Sequence, residues 1–407
     1  MMGQSMDRAI EDSMSADWQP RPLHDRTWMQ ICLRFLSALM LSPTVLNTIC
    51  DVDVIARRIP EVNEQRKTVE TIQRFGGYAF YDGDFDDQRK SPQWIASSFG
   101  RELLENVMRA DFVDRSGQDL WMGRPNAKTP SKKEFLTDDD LRSLTQSPAF
   151  DRLPGLRICS QHITDDGLES LRSMFQLETL YLNDKQITDL GVRHLAGLKG
   201  LRFLDLEDTQ ITDAAIPYLK LLPRLRSLNL TNTPITDTGV SYLKLLPQLH
   251  ELNLGSTQIT DASIANLKSL PQLRDLCLAS ANITDAGVAS LGELRQLENL
   301  NLSQTHVSDA GVKELQRLSH LQCLDISGTP ITSACLESLA SLTELRRLNL
   351  YGTQVTDVGL ERLADMQRLQ RLNLGFTIAT QAGVERLKKL RHFDEVYYFR
   401  SPKAPEK

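Results

Sequence analysis

One period governs this chain. The stretch LETLYLNDKQITDLGVRHLAGLKG, residues 177–200, is followed by LRFLDLEDTQITDAAIPYLKLLPR and then by LRSLNLTNTPITDTGVSYLKLLPQ. The first leucine of each unit falls at Leu153, Leu177, Leu201, Leu225, Leu249, Leu273, Leu297, Leu321, Leu345 and Leu369. Ten 24-residue units therefore cover residues 153–392 with no insertion or deletion, and a final segment, Phe393-x-x-Val396-x-Tyr398, begins an eleventh. Constant self-similarity at this length marks a solenoid, in which each unit stacks only on its neighbours. A leucine-rich helical bundle would show a 3.6-residue period instead.

Within a unit, leucines at positions 1, 4 and 6 (Leu225, Leu228, Leu230) sit on a short extended segment. Positions 4 and 6 point to one face and position 5 to the other. Position 9 is mostly threonine (Thr209, Thr233, Thr257, Thr305, Thr329, Thr353, Thr377), whose hydroxyl can bond the backbone where the chain leaves the strand. An Ile/Val-Thr-Asp run follows, with Thr236 or Asp237 suited to cap a helix. Val240, Leu243 and Leu246 then recur at helical spacing, and Pro223, Pro247 and Pro271 end the helix. A unit alone buries too little to offset its ordering entropy, so stacking is required. The expected result is one parallel sheet of eleven strands about 50 Å long at ~4.8 Å per strand.

The pattern L-x-x-L-x-L-x-x-T-x-I-T-D-x-G-V-x-x-L-x-x-L resembles the leucine-rich repeat. It is similar to the cysteine-containing, GALA-like subtype of F-box adaptors, and more so to the bacterial arrays abundant in planctomycetes. Residues 65–82, QRKTVETIQRFGGYAFYD, together with Pro92-x-Trp94-Ile and Phe99-Gly-x-Glu-Leu-Leu, look like the lead-in of those bacterial proteins. The chain departs from the repeat pattern at Ser333, Cys335, Ala379 and Gln381, and no F-box is visible. The resemblance implies an α/β solenoid: a leucine-rich repeat horseshoe with a parallel concave sheet and convex helices. It also implies protein interaction without catalytic residues.

Ahead of the array, residues 1–26 are polar and read as a disordered tail. Residues 27–50 hold the most apolar segment, with a charge-free run of only 16 residues, 35–50. A spanning helix needs about 20. An apolar helix and a marginal membrane anchor both stay open, and in the resembling bacterial group a hydrophobic helix often precedes the lead-in. Localisation stays open with it, between soluble cytoplasmic and anchored by residues 28–50. Residues 61–114 read as a small α/β N-terminal piece. It has a helix over 62–75, a strand over 78–81, helices over 94–99 and 102–108, and a strand over 111–114. Residues 115–134 read as a linker. Residues 135–152 read as an N-terminal capping half-repeat, because Leu136-Thr-Asp-Asp-Asp-Leu-Arg-Ser-Leu144 echoes half a unit. The array then runs over 153–399, with a tail at 400–407.

Net charge is −6 with no long basic run, so the footprint of a nucleic-acid binder is missing. The six cysteines form no C-x-x-C pair and read as unpaired thiols. No G-x-S-x-G, Walker or H-E-x-x-H motif occurs, and the seven histidines are scattered over the tail, the strands' flanks and the convex side, none placed by the register beside a Ser or Cys nucleophile and an acid. No cofactor or metal is expected.

Candidate site residues therefore come from the columns at positions 3, 5 and 7, which face out of the sheet. Position 5 carries five asparagines (Asn229, Asn253, Asn301, Asn349, Asn373) that can bond along the ladder or form a solvated strip. One cluster lies at the C-terminal end: Arg347 and Arg371 share position 3, Tyr351 and Phe399 share position 7, and Asn349, Asn373, Phe376 and Tyr397 lie beside them. Arginine and aromatic residues are enriched at interface hot spots. Two readings stand, a partner site and a cap over the end of the core. A secondary acidic patch, Asp184, Asp205, Glu207 and Asp208, suits a basic partner or a cation, or is a solvated face. The function expected is a protein-interaction module binding on the concave face. A membrane-tethered scaffold of a bacterial cell envelope and an F-box-type adaptor are the alternatives.

Overall fold

The computed structural model describes residues 136–147, 150, 152–390 and 393–399, with strands 78–81 and 107–113 and helical residues 67, 70–72 and 74 before them. The expectations for residues 1–50, 94–99, 115–134 and 400–407 lie outside the described residues. Among the described residues no helix is long and apolar enough to cross a membrane.

The strands form one 13-stranded sheet in sequence order. Eleven of them, β3 (Gly155–Cys159) to β13 (Glu395–Tyr397), are the repeat strands, parallel and paired with no slip. Leu228 pairs with Leu204 and Leu252, as the 24-residue spacing demands. The sheet also extends past the array. β2 (Val107–Val113) pairs parallel with β3, and β1 (Tyr78–Tyr81) pairs antiparallel with β2. The strands of the N-terminal piece thus continue the repeat sheet. This corrects two expectations from sequence: Val107 and Met108 begin a strand rather than end a helix, and the strand spans Val107–Val113 rather than 111–114. Pairing on both sides overrides local helical preference there.

Seven apolar residues per unit form the core. In one copy Leu225, Leu228, Leu230, Ile235, Val240, Leu243 and Leu246 are all at most 1% exposed. The threonine at position 9 is buried with them, and its hydroxyl donates to the carbonyl at position 6, as Thr233 Oγ1 does to Leu230 O at 2.6 Å. Six further units repeat that bond. The helices are short. Asp237–Tyr242 is α-helical and Leu243–Leu245 is 3-10, so the chain is back at the sheet within its 24 residues.

The Thr-Asp-x-Gly run explains itself in three dimensions. Thr236 caps its helix by accepting from the Thr238 amide. The aspartate instead bonds the next unit: Asp237 accepts from Thr260 N at 2.8 Å and from Thr260 Oγ1 at 2.7 Å. The same pair of bonds joins Asp213 to Thr236, Asp261 to Thr284, Asp285 to Ser308 and Asp309 to Thr332. Glycine follows because it makes room: a Cβ at Gly239 would stand 2.3 Å from Asp213 Oδ1. Where Ser333 replaces aspartate, Thr356 still bonds its hydroxyl but makes no cap bond of its own.

The same ladder begins before the first unit. Helix α1 (Asp138–Thr145) has a capping box between Thr137 and Asp140 and buries Leu141 and Leu144. Asp138 accepts from Thr164 N at 2.9 Å and from Thr164 Oγ1 at 2.7 Å, the repeat bond in all but spacing.

Candidate functional site

Side chains at positions 3 and 5 line a groove of about 650 Å³ that runs along the outward face of the sheet, from Phe203 to Tyr397. The asparagines of position 5 first serve the fold. The Oδ1 of Asn229, Asn253, Asn301, Asn349 and Asn373 each accepts from the amide two residues on, bending the chain out of the strand. Of the five, only Asn229 and Asn349 donate along the ladder, Asn229 to Asp205 and Glu207 and Asn349 to Asp325. The amide nitrogens of Asn253, Asn301 and Asn373 make no bond within the described residues and line the groove as donors.

At the C-terminal end, alternation along the last strand separates capping from exposure. Val396 and Tyr398 pack on the core, Phe393 is buried, and Tyr398 Oη donates to Ala379 O at 2.9 Å. Tyr397 and Phe399 point the other way and are 49% and 64% exposed. The capping role thus falls to Phe393, Val396 and Tyr398. Tyr351 and Phe376 join the exposed set, with ring centroids 5.0 Å apart. Gly375 lets Tyr351 lie close, since a Cβ there would meet its ring at 2.9 Å. Phe376 has φ of 55°, the left-handed conformation that the whole column shares: Asp208, Asn232, Ser256, Ser280 and Gln304 adopt it too, and Gly328 and Gly352 supply it elsewhere. A bulky residue there is strained by about 1–2 kcal/mol. The turn itself belongs to the repeat; what is particular to this unit is that an aromatic occupies it.

Arg347 and Arg371 are register partners on adjacent strands. Arg347 Nε donates to the Cys323 sulfur at 2.8 Å, and Arg371 pairs with Glu395 at 3.3 Å in an exposed contact that contributes little. Glu395 also accepts from Tyr397 Oη at 2.9 Å, and this bond pushes the phenol pKa up.

The acidic patch does not come together as one exposed site. Asp184 and Asp205 are buried, and each accepts from the amide two residues on, Gln186 or Glu207. Burial pushes the Asp205 carboxyl up, although bonds from Glu207 N and Asn229 pull it down. Glu207 is raised as well, by burial and then by the charge of Asp205. Asp208 accepts from Asn232. Two of the four carboxylates are thus committed to the fold, which leaves Glu207 and Asp208 as a remnant. Among the described residues no group of three or more His, Cys, Asp or Glu side chains is arranged to hold a metal ion.

Sequence reasoning missed a second aromatic feature at the other end of the groove. The Arg157 guanidinium lies 5.8 Å from the Tyr181 ring, and Tyr181 packs on Phe203 at 4.8 Å. Tyr181 pairs in register with Asp205, so Phe203, two residues earlier, is its diagonal neighbour. The signal was available in reading columns 3 and 5 together rather than each alone. Two thiols are held in the protonated form: burial raises Cys277, and burial together with Asp309 pushes Cys335 up to about 12.

Comparison with known proteins adds the following. The Leucine Rich repeat family profile matches residues 223–244, 317–340 and 341–364. Among solved structures the chain is similar to an internalin, inlF, of Listeria monocytogenes, at 23% identity and a TM-score of 0.46, covering 66% of this chain and 85% of that one. It is also similar to internalin C2, inlC2, of the same organism, at 28% identity and a TM-score of 0.42, covering 60% of this chain and 92% of that one. No curated protein matches the sequence. The array is a leucine-rich repeat solenoid.

Proposed function

We propose that this chain is a non-enzymatic protein-interaction module, of the planctomycete repeat type, that takes its partner on the outward face of the sheet at the C-terminal end of the array. The observation that carries this reading is the split along the last strand: two residues cap the core while Tyr397 and Phe399 turn out beside Phe376 and Tyr351. Large exposed aromatics next to paired arginines are the residue types that supply most interface energy. Gly375 leaves room for the Tyr351 ring, and Phe376 packs against it at 5.0 Å. A pull-down from the native host comparing wild type with Arg347→Glu/Arg371→Glu tests it. The expected result is loss of a partner that wild type retains. Unchanged recovery removes this end of the groove from the interface.

A further inference from the structure

The charges in the groove are sorted rather than mixed. At position 3, Glu251 and Asp275 are register partners on adjacent strands, and four strands further on Arg347 and Arg371 are register partners too. Like charges placed directly opposite in a sheet are destabilising. The fold thus carries two unfavourable pairs, one of each sign, on one face. Internal compensation is partial: Arg371 pairs with Glu395 at 3.3 Å in an exposed contact, while Arg347 donates only to the Cys323 sulfur. Glu251 is exposed with no ion-pair partner among the described residues. Asp275 accepts from Asn299, yet its carboxyl is raised by burial and by Glu251. All four side chains line the same groove. Between the poles stand the outward amide nitrogen of Asn301 and the carboxylate of Asp325, which accepts from Asn349; Asn253 shares the strand of Glu251 and Asn373 that of Arg371, and the carbonyl oxygens of the three asparagines are already held by the backbone.

We propose that the groove takes an extended, charge-segregated segment of a partner protein, with basic side chains over Glu251 and Asp275 and acidic ones over Arg347 and Arg371. The inference rests on the interaction reading above and specifies its ligand. Four strand spacings put the poles about 19 Å apart, so an extended chain at ~3.3 Å per residue places its two charge blocks about six residues apart. The asparagine amides donate to the carbonyls of that segment, which a strand-like backbone leaves open. Opposite charge at each pole relieves both like-charge pairs on binding, and a polyanion such as nucleic acid is turned away by the acidic pole.

Fluorescence anisotropy on the full chain tests it. The probes are a labelled peptide with two lysines and, about six residues on, two aspartates in a Ser/Thr background, and an isomer of the same composition with alternating charges. The block peptide is expected to bind about tenfold more tightly at low salt, with the difference shrinking as salt rises. Glu251→Lys/Asp275→Lys and Arg347→Glu/Arg371→Glu each abolish the preference. All four reversals together restore it, because the peptide then lies end for end. Equal binding of the two isomers overturns the proposal, and so does a folded quadruple reversal that stays as weak as the doubles. A neutral set, Glu251→Gln/Asp275→Asn/Arg347→Gln/Arg371→Gln, covers a failure of the reversed protein to fold; retained discrimination in that set also overturns it. If the arginine pair proves essential in the pull-down while the two isomers bind alike, the interaction stands and only the charge-segregated ligand falls.

Discussion

At the scale of single residues, two positions trade stability for something else. Phe376 holds φ of 55° and is 45% exposed, where the same column elsewhere uses glycine or the polar residues Asp208, Asn232, Ser256, Ser280 and Gln304. Phe376→Gly removes a strain of about 1–2 kcal/mol and gives up an aromatic pair worth about 0.5–1.5 kcal/mol. Its melting temperature is expected to hold or rise while partner recovery falls; a clear drop in the midpoint would show the ring to be structural. Asp205 is the second. Its folded pKa is raised by burial, so its contribution to stability is fully present below the unfolded value and is lost as pH rises through the folded one. Asp205→Asn keeps the oxygen that accepts from Glu207 N and removes the buried charge. The variant is expected to be more stable than wild type at pH 7, and the advantage to vanish below about pH 4. Denaturant melts at the two pH values measure it, and an advantage independent of pH contradicts it. Neither feature was legible in the sequence. The aspartate read as one of four exposed acids, because an outward-facing column does not reveal how deeply its members sit. Phe376 packs beside Tyr351, as its column implies, but its left-handed backbone depends on a turn that only the fold supplies.

At the scale of the repeat, the informative element is the aspartate ladder. Periodicity alone predicted the strand, its inward leucines, the apolar helix face and the threonine that bonds at the strand exit, because each depends on spacing within one unit. The Thr-Asp-x-Gly run was read as a local helix start, which was half of its role. Its other half joins one unit to the next, and Asp237 reaches Thr260 across 23 residues. A lost bond of this sort, with its partner left partly buried, costs about 1–3 kcal/mol. Asp237→Ala is expected to lower the unfolding free energy by that amount in urea melts. Asp139→Ala, which removes only an exposed pair with Arg142, should stay within about 0.5 kcal/mol of wild type. The natural exception offers the reverse experiment. Ser333→Asp, facing Gly359 as Asp357 faces Gly383, restores the second acceptor for Thr356 and is expected to stabilise by about 1 kcal/mol. A destabilised Ser333→Asp would mean that Cys335 and its neighbours have repacked around the serine.

At the scale of the whole molecule, the array was legible almost completely and its margins were not. Ten units in phase dictate a parallel sheet, but nothing in the period says that Tyr78–Tyr81 and Val107–Val113 extend it, since neither carries the repeat. The continuous sheet presents one outward groove, aromatic at both ends and sorted by charge in between, while the opposite side is built from short helices. The central claim is that recognition occurs on the groove and not on the helical side. Site-specific photo-crosslinking in the native host tests that most directly, with a benzoylphenylalanine placed at Tyr397 in the groove or at Val358, an 82% exposed residue on a helix. Crosslinking to a partner from position 397 and none from position 358 is the predicted result. Crosslinking from position 358 alone would contradict it.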